Sequence, residues 1–105
     1  MRFTWDDSAK RGLYQVAEYI KDNFGVKSLK KFRQELVHTT DLIASNPYMC
    51  ALEPLLSERE RSYRSALINN LSKMVYFVDE EKNTIHIVAF WDCRCEPLTL
   101  IEQLE

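Results

Sequence analysis

The chain has 105 residues, 46% of them hydrophobic and 29% charged, and a formal net charge of −2. This length suits one domain, 1–105, and the composition supports a buried core, which excludes disordered and low-complexity classes. No apolar run approaches the roughly 20 residues of a membrane span, and the N-terminus has no apolar signal segment. We therefore expect one small cytoplasmic domain without membrane contact.

Cysteine and charge patterns argue against two further classes of protein. Cys50, Cys93 and Cys95 form no CxxC pair, and only His38 and His86 could complete a zinc site with them. Reduced thiols are the simpler interpretation in a cytosolic protein, so we expect no metal, no disulfide and no cofactor. The negative net charge disfavours a dedicated nucleic-acid binder, because phosphate neutralisation supplies most of the affinity of such proteins.

The first half of the chain predicts a short strand and a helix hairpin. Residues 3–5 are β-prone, and Asp6, Asp7 and Ser8 then offer oxygens that could cap a helix. Two helices are predicted from apolar residues at helical spacing: Leu13, Val16, Ala17, Ile20 and Phe24 in the first, and Leu29, Phe32, Leu36, Thr40 and Ile43 in the second. Gly25 ends the first helix and Asn46-Pro47 ends the second, so the short link favours an antiparallel hairpin.

The second half predicts a loop followed by a three-stranded meander. Residues 47–62 have no clean period, and we interpret their apolar side chains as anchors that hold the loop on the core: Tyr48, Met49, Leu52, Leu55 and Leu56. Segments 63–68, 73–79 and 84–91 are rich in β-branched and aromatic residues, which predicts antiparallel strands. The apolar tail at 98–104 is expected to be buried as an extra strand or a last helical turn.

These elements together predict an α+β domain. The helix hairpin covers one face of a mainly antiparallel sheet of about four strands, and the other face stays partly open. That open face and the loop beside it are the expected location of a functional site or of a docked partner.

Several short sequence runs, taken in order, are more specific than the element order. Tyr-Ile-Lys-Asp-Asn-Phe-Gly at 19–25 and Asn46-Pro47 end the two predicted helices, and Tyr63-Arg64 opens the meander. Lys-Met-Val-Tyr-Phe-Val-Asp follows at 73–79, and Ile-His-Ile-Val at 85–88 leads to Asp-Cys-Arg-Cys-Glu-Pro at 92–97. Over nearly the whole chain these runs resemble the RelE/ParE family, the toxins of bacterial type II toxin–antitoxin modules.

The resemblance implies the α+β fold and a cognate protein antitoxin that covers the active surface of the toxin. RelE-like members cleave mRNA in the ribosomal A site, whereas ParE-like members inhibit DNA gyrase and cleave nothing. Family resemblance therefore leaves open whether this chain is an enzyme. If it is RelE-like, the resemblance places Arg64, Lys73 and Arg94 at basic catalytic positions, where we expect them to converge on one face of the sheet.

The chain departs from the RelE-like pattern at two positions. Ala66 stands at the second basic position of the first meander strand, and Leu100 stands near the expected C-terminal Tyr. General acid–base groups each contribute about 10²–10⁴-fold in rate, so cleavage should be weak or absent. Arg64 could instead have a structural role, in an ion pair with Glu58 or Glu60. We interpret His86 as an ordinary strand residue that faces solvent.

The leading hypothesis is thus a toxin that acts by binding, with DNA gyrase as one concrete target. The alternatives are a ribosome-dependent mRNA endonuclease that uses the three basic residues, and a decayed module protein that only binds its antitoxin. We expect the antitoxin to bind across the helix hairpin and the open side of the meander.

Overall fold

The computed structural model describes residues 1–69 and 71–92. The elements in chain order are β1 (Arg2–Trp5), α1 (Asp7–Phe24), α2 (Val26–Ser45), a 3₁₀ turn (Pro54–Leu56), β2 (Arg64–Ile68), β3 (Ser72–Asp79) and β4 (Thr84–Asp92). The predicted helix hairpin, strands and α+β class are confirmed, with boundaries within three residues of those expected. The predicted burial of the tail at 98–104 lies outside the described residues. No described helix is long and apolar enough to cross a membrane.

Local sequence explains where the two helices begin and end. Asp6 occupies the N-cap position of α1 in an extended conformation, although its side chain makes no capping hydrogen bond. Gly25 joins the helices with a φ of 92°, a conformation that side chains disfavour, and its N–H donates to the Lys21 carbonyl. Asn46 ends α2 directly before Pro47, because the residue that precedes a proline avoids helical dihedrals.

The four strands form one sheet in the order β1-β4-β3-β2. The β2–β3 and β3–β4 pairs are antiparallel, whereas β1 pairs with β4 in parallel, so the sheet is mainly antiparallel as predicted. The β3–β4 register shifts between Val75 and Tyr76. Because the hairpin links β1 to β2, it crosses the whole sheet and covers one face, here called the helix face.

The helix face holds the larger hydrophobic core. Its members come from both helices and from three strands, and the fully buried ones include Phe32, Ile43, Ile68, Met74, Tyr76, Ile85, Ile87 and Phe90. Gly12 sets the closest approach of α1 to the sheet, since a Cβ added there would lie 2.0 Å from the Phe90 carbonyl oxygen. The sequence thus contains a glycine inside a helix because the backbone of β4 occupies that space.

The opposite face of the sheet, here called the loop face, is less open than predicted. Leu56 from the 3₁₀ turn packs there in a second cluster with Val75, Val88, Ala89 and Trp91. The prediction that five apolar side chains anchor this loop on the core is wrong for four of them, since only Leu56 is buried. The other four, Tyr48, Met49, Leu52 and Leu55, are 40–56% exposed. Polar contacts hold this segment instead.

Candidate functional site

Residues 47–56, here called the strap, wrap around the β2 edge of the sheet. The strap leaves α2 on the helix face, runs along β2 and reaches the loop face at its 3₁₀ turn. Two backbone hydrogen bonds fix it to the edge, from Ser65 N to the Ala51 carbonyl at 3.1 Å and from Glu53 N to the Tyr63 carbonyl at 2.8 Å. The strap therefore covers part of a strand edge that would otherwise be open to pairing with another chain.

Arg64, the first predicted site residue, holds the strap on the helix face. Its Nη1 donates to the Cys50 carbonyl at 2.6 Å and to the Tyr48 carbonyl at 3.3 Å. The guanidinium also lies over the Tyr48 ring, 5.3 Å from the ring centroid. The predicted structural alternative, an ion pair with a nearby glutamate, is replaced by these bonds to carbonyls. A guanidinium suits this role because its fixed fork of donors can satisfy several acceptors.

Lys73, the second predicted site residue, holds the strap on the loop face. Its Nζ lies 3.2 and 3.1 Å from the two carboxylate oxygens of Glu53, and the Glu53 side chain is fully buried. The amine also lies 5.8 Å from the centroid of the Trp91 ring. A buried carboxylate needs a close cationic partner, so the amine is committed to this pair.

Sequence reasoning missed Glu53, although one signal was available. Glu53 is a lone acid within the run Leu-Glu-Pro-Leu-Leu at 52–56. An acid in an apolar stretch of a chain that packs on a sheet requires a buried partner, and Arg64 and Lys73 were the cations assigned to the next two strands.

Arg64 and Lys73 do not converge on one face, so that expectation is wrong for the described pair. Arg64 pairs with Tyr76 and Lys73 pairs with Leu67 across the β2–β3 ladder. Positions 64 and 67 are an odd number of residues apart, which places the two side chains on opposite faces. Arg94 lies outside the described residues, and Ala66, at the missing basic position, is buried in the helix-face core.

A groove lies at the end of the sheet where β3 extends beyond the start of β2. Its volume is about 680 Å³, and we call it the turn groove because the β3–β4 turn forms one wall: Tyr48, Arg61, Ser62, Arg64, Phe77, Val78, Asp79, Glu80, Glu81 and Lys82 line it. The Arg61 guanidinium lies 4.3 Å above the centroid of the Phe77 ring. Tyr48 donates a hydrogen bond to the Glu80 carboxylate, which raises the pKa of the Tyr48 phenol.

His86 lies beside this groove on the loop face and connects three strands. Its Nδ1 shares a hydrogen bond of 2.7 Å with Thr4 Oγ1 on β1, and its Nε2 lies 3.6 Å from Asp79 Oδ2 on β3. The imidazole also stacks on Phe77, with the ring centroids 4.7 Å apart. His86 is half-buried rather than solvent-facing as expected, and both ring nitrogens face partners within the sheet.

Side chains that could ligate a metal do not cluster in the part of the chain that the structure describes. Within residues 1–69 and 71–92, no three His, Cys, Asp or Glu side chains gather in an arrangement that could hold an ion. Cys50 is a free thiol packed against the helix-face core, and the other two cysteines lie outside the described residues.

Comparison with known proteins assigns the chain to a family. The sequence profile described as "ParE toxin of type II toxin-antitoxin system, parDE" matches residues 3–96. The chain belongs to the ParE toxin family. A solved structure described as "Chromosomal ParDE TA system from P. aeruginosa" shares the ParE-like fold, with a TM-score of 0.67, 17% sequence identity and coverage of 88% of this chain and 95% of that chain. No curated protein sequence matches this ParE family member.

Proposed function

We propose that this ParE family member is the toxin of a type II toxin–antitoxin module and acts by binding a macromolecular target, with DNA gyrase as the leading candidate. In this proposal a cognate protein antitoxin neutralises the chain, in line with its family and with the ParDE system whose structure it resembles. Both proteins are then expected to meet in the cytoplasm.

One observation carries the preference for binding over RNA cleavage. The two described residues that the resemblance assigns to basic positions of a RelE-like nuclease are engaged with the strap, Arg64 with its carbonyls and Lys73 with Glu53. They also lie on opposite faces of the sheet. Cleavage needs a base and cations that converge on one phosphate, so this arrangement supports a role in holding the fold.

The decisive experiment measures two activities of the same purified chain. Supercoiling by gyrase and cleavage of ribosome-bound mRNA are assayed in parallel, together with growth after induction of the chain alone. We expect inhibited supercoiling, arrested growth and intact mRNA. Efficient cutting of ribosome-bound mRNA, with turnover of about 1 s⁻¹ or faster, would contradict a binding mode.

A matched pair of variants separates a catalytic lysine from a structural one. The double variant Lys73→Met with Glu53→Gln removes the amine without leaving a buried charge, and Lys31→Met removes an exposed amine on α2. A binding toxin should retain its activity in both variants. Selective loss of mRNA cleavage in the double variant would instead make Lys73 catalytic.

Co-expression with the adjacent reading frame tests the antitoxin. A complex on size exclusion that restores growth supports the module, and absence of any complex contradicts it. A stable complex combined with no effect on gyrase, mRNA or growth would favour the decayed module protein over an active toxin.

A further inference from the structure

The turn groove contains three exposed charges that the described residues leave unpaired, on Arg61, Glu81 and Lys82. The Arg61 guanidinium lies over the Phe77 ring but binds no carboxylate within residues 1–69 and 71–92. Glu81, at the tip of the β3–β4 turn, is exposed and has no cationic partner within the same ranges. The other acids near the groove are engaged, since Glu80 accepts from Tyr48 and Asp79 faces His86 and the Lys82 amide.

The edge of β3 is also open at the groove. The pairing of β2 with β3 ends at Arg64, which lies opposite Tyr76. β3 continues beyond Tyr76 to Asp79, and over these last residues it pairs with β4 alone. The backbone groups that β3 directs away from β4 over positions 77–79 thus lack a strand partner among the described residues. Such an edge is a template for pairing with another chain.

The balance of charge indicates what could occupy this surface. Three cations, Arg61, Arg64 and Lys82, and three acids, Asp79, Glu80 and Glu81, line the groove. A uniformly acidic peptide or a nucleic acid would meet as many repulsive groups as attractive ones. A surface that carries both signs side by side can pair its cations with the acids of a second copy after a two-fold rotation, which is the geometry of an isologous dimer.

We propose that the turn groove is a contact between two copies of this chain. The β3–β4 turn forms one wall of the groove at the end of the sheet, and in the dimer the turn of each copy enters the groove of the other. Arg61 of one copy then pairs with Glu81 of the partner subunit, twice about the two-fold axis, and the open edges of the two β3 strands lie together. This inference is independent of the target of the toxin.

The size of the contact predicts a weak dimer. Stable interfaces bury about 800 Å² per partner, and a contact made by one turn and the three-residue edge of β3 at 77–79 is smaller than a standard interface of about 20 residues a side. The dissociation constant should therefore be on the order of tens of micromolar. Exposed ion pairs are screened by salt, so the dimer should weaken several-fold in about 1 M salt.

Charge reversal tests the contact on the full, free chain. Sedimentation equilibrium is measured over a concentration series for wild type, Arg61→Glu, Glu81→Arg, the double variant and an equimolar mixture of the two single variants. Each single variant places like charges at both contacts and should be monomeric, with at least about a tenfold weaker association. The mixture and the double variant restore opposite charges at both contacts and should dimerise again.

Lys31→Glu reverses an exposed charge on α2, away from the groove, and serves as the matched control. Circular dichroism melts establish that every variant folds, and any pair that does not fold is replaced by Arg61→Gln with Glu81→Gln, which should weaken association without repulsion. A wild-type chain that stays monomeric, a dimer unchanged by both reversals, equal weakening by Lys31→Glu, or no recovery in the mixture would each overturn the proposal.

Discussion

The two faces of the sheet are stabilised in different ways. On the helix face, fully buried apolar side chains such as Phe32, Ile43 and Ile68 fill the space between the helices and the strands. On the loop face and around the β2 edge, a small apolar cluster is supplemented by directional contacts of Arg64, Lys73 and Glu53. Burial distributes stability over many residues, whereas the strap depends on a few polar contacts, each of which can be removed by one substitution.

The largest expected effect tests the close packing of the helix face. Gly12→Ala should lower the free energy of unfolding by about 3 kcal/mol, because the new Cβ would lie 2.0 Å from the Phe90 carbonyl oxygen and push α1 from β4. The gain in helix propensity, about 1 kcal/mol, is too small to offset this. Urea denaturation measures the loss, and Gln15→Ala on the exposed side of α1 is the control. Equal midpoints for the two variants would contradict the close contact.

The next effect concerns the ion pair of the loop face, where the two partners are unequally buried. Lys73→Met should cost about 2 kcal/mol, because it leaves the fully buried Glu53 carboxylate without its cation. Glu53→Gln should cost about 1 kcal/mol, because the Lys73 side chain is 28% exposed and its amine can be hydrated. The double variant should be more stable than Lys73→Met alone. A double-mutant cycle in urea measures these terms, and equal single losses would mean that the carboxylate is hydrated.

A smaller and more local effect is expected at Arg64. Arg64→Met removes the hydrogen bonds to the Cys50 and Tyr48 carbonyls and should cost about 1.5 kcal/mol. Because the strap is only part of the fold, this loss should appear first as local opening. Hydrogen exchange at the Glu53 and Ser65 amides should accelerate, while exchange in α1 stays unchanged. Uniform acceleration over the whole chain would argue against a separate role for the strap.

The smallest effect is the alkaline pH dependence of the contact between Tyr76 and the strap. The Tyr76 hydroxyl donates to the Pro47 carbonyl at 2.8 Å, and burial raises the pKa of this phenol above its ordinary value. A raised folded-state pKa stabilises the protein below the unfolded value of about 10, and this stability is lost as pH rises above it. Tyr76→Phe should lower the free energy of unfolding by about 1 kcal/mol at neutral pH, and it should reduce the fall of this free energy at alkaline pH. Unfolding measured from pH 8 to 11 tests it, with the exposed Tyr14→Phe as control.

Prediction from the sequence succeeded where the signal was local. Gly25 and Asn46-Pro47 ended the two helices as expected, because positive φ and the residue before proline are constraints of the backbone itself. The strand segments were likewise recognisable from their β-branched and aromatic content. The strap was not recognised as a segment held by polar contacts. Its residues Tyr48 and Met49 have side chains typical of hydrophobic anchors, but these are exposed, and backbone and polar groups hold the segment.

The roles of the candidate site residues stay predictions, whereas their expected arrangement is wrong for the described pair. The resemblance selected Arg64 and Lys73, and each makes specific contacts, yet their partners come from strap residues that no local pattern connects with them. Whether either residue takes part in catalysis stays a prediction, and the same holds for Arg94. The turn groove was missed because Arg61, Phe77 and Glu81 belong to three segments that meet only in the folded chain.

The sequence by itself determined the helices, the strands, their order and the family, because periodicity, turn residues and short motifs act over a few neighbouring positions. Only the tertiary structure decided which face of the sheet each charged side chain occupies. The side-chain direction in a strand alternates at every residue, so it follows from the β2–β3 register and from the path of the strap around the β2 edge. Both the register and the path of the strap depend on contacts between distant segments. For this reason Arg64 and Lys73, two cations of the same β2–β3 hairpin, lie on opposite faces of the sheet.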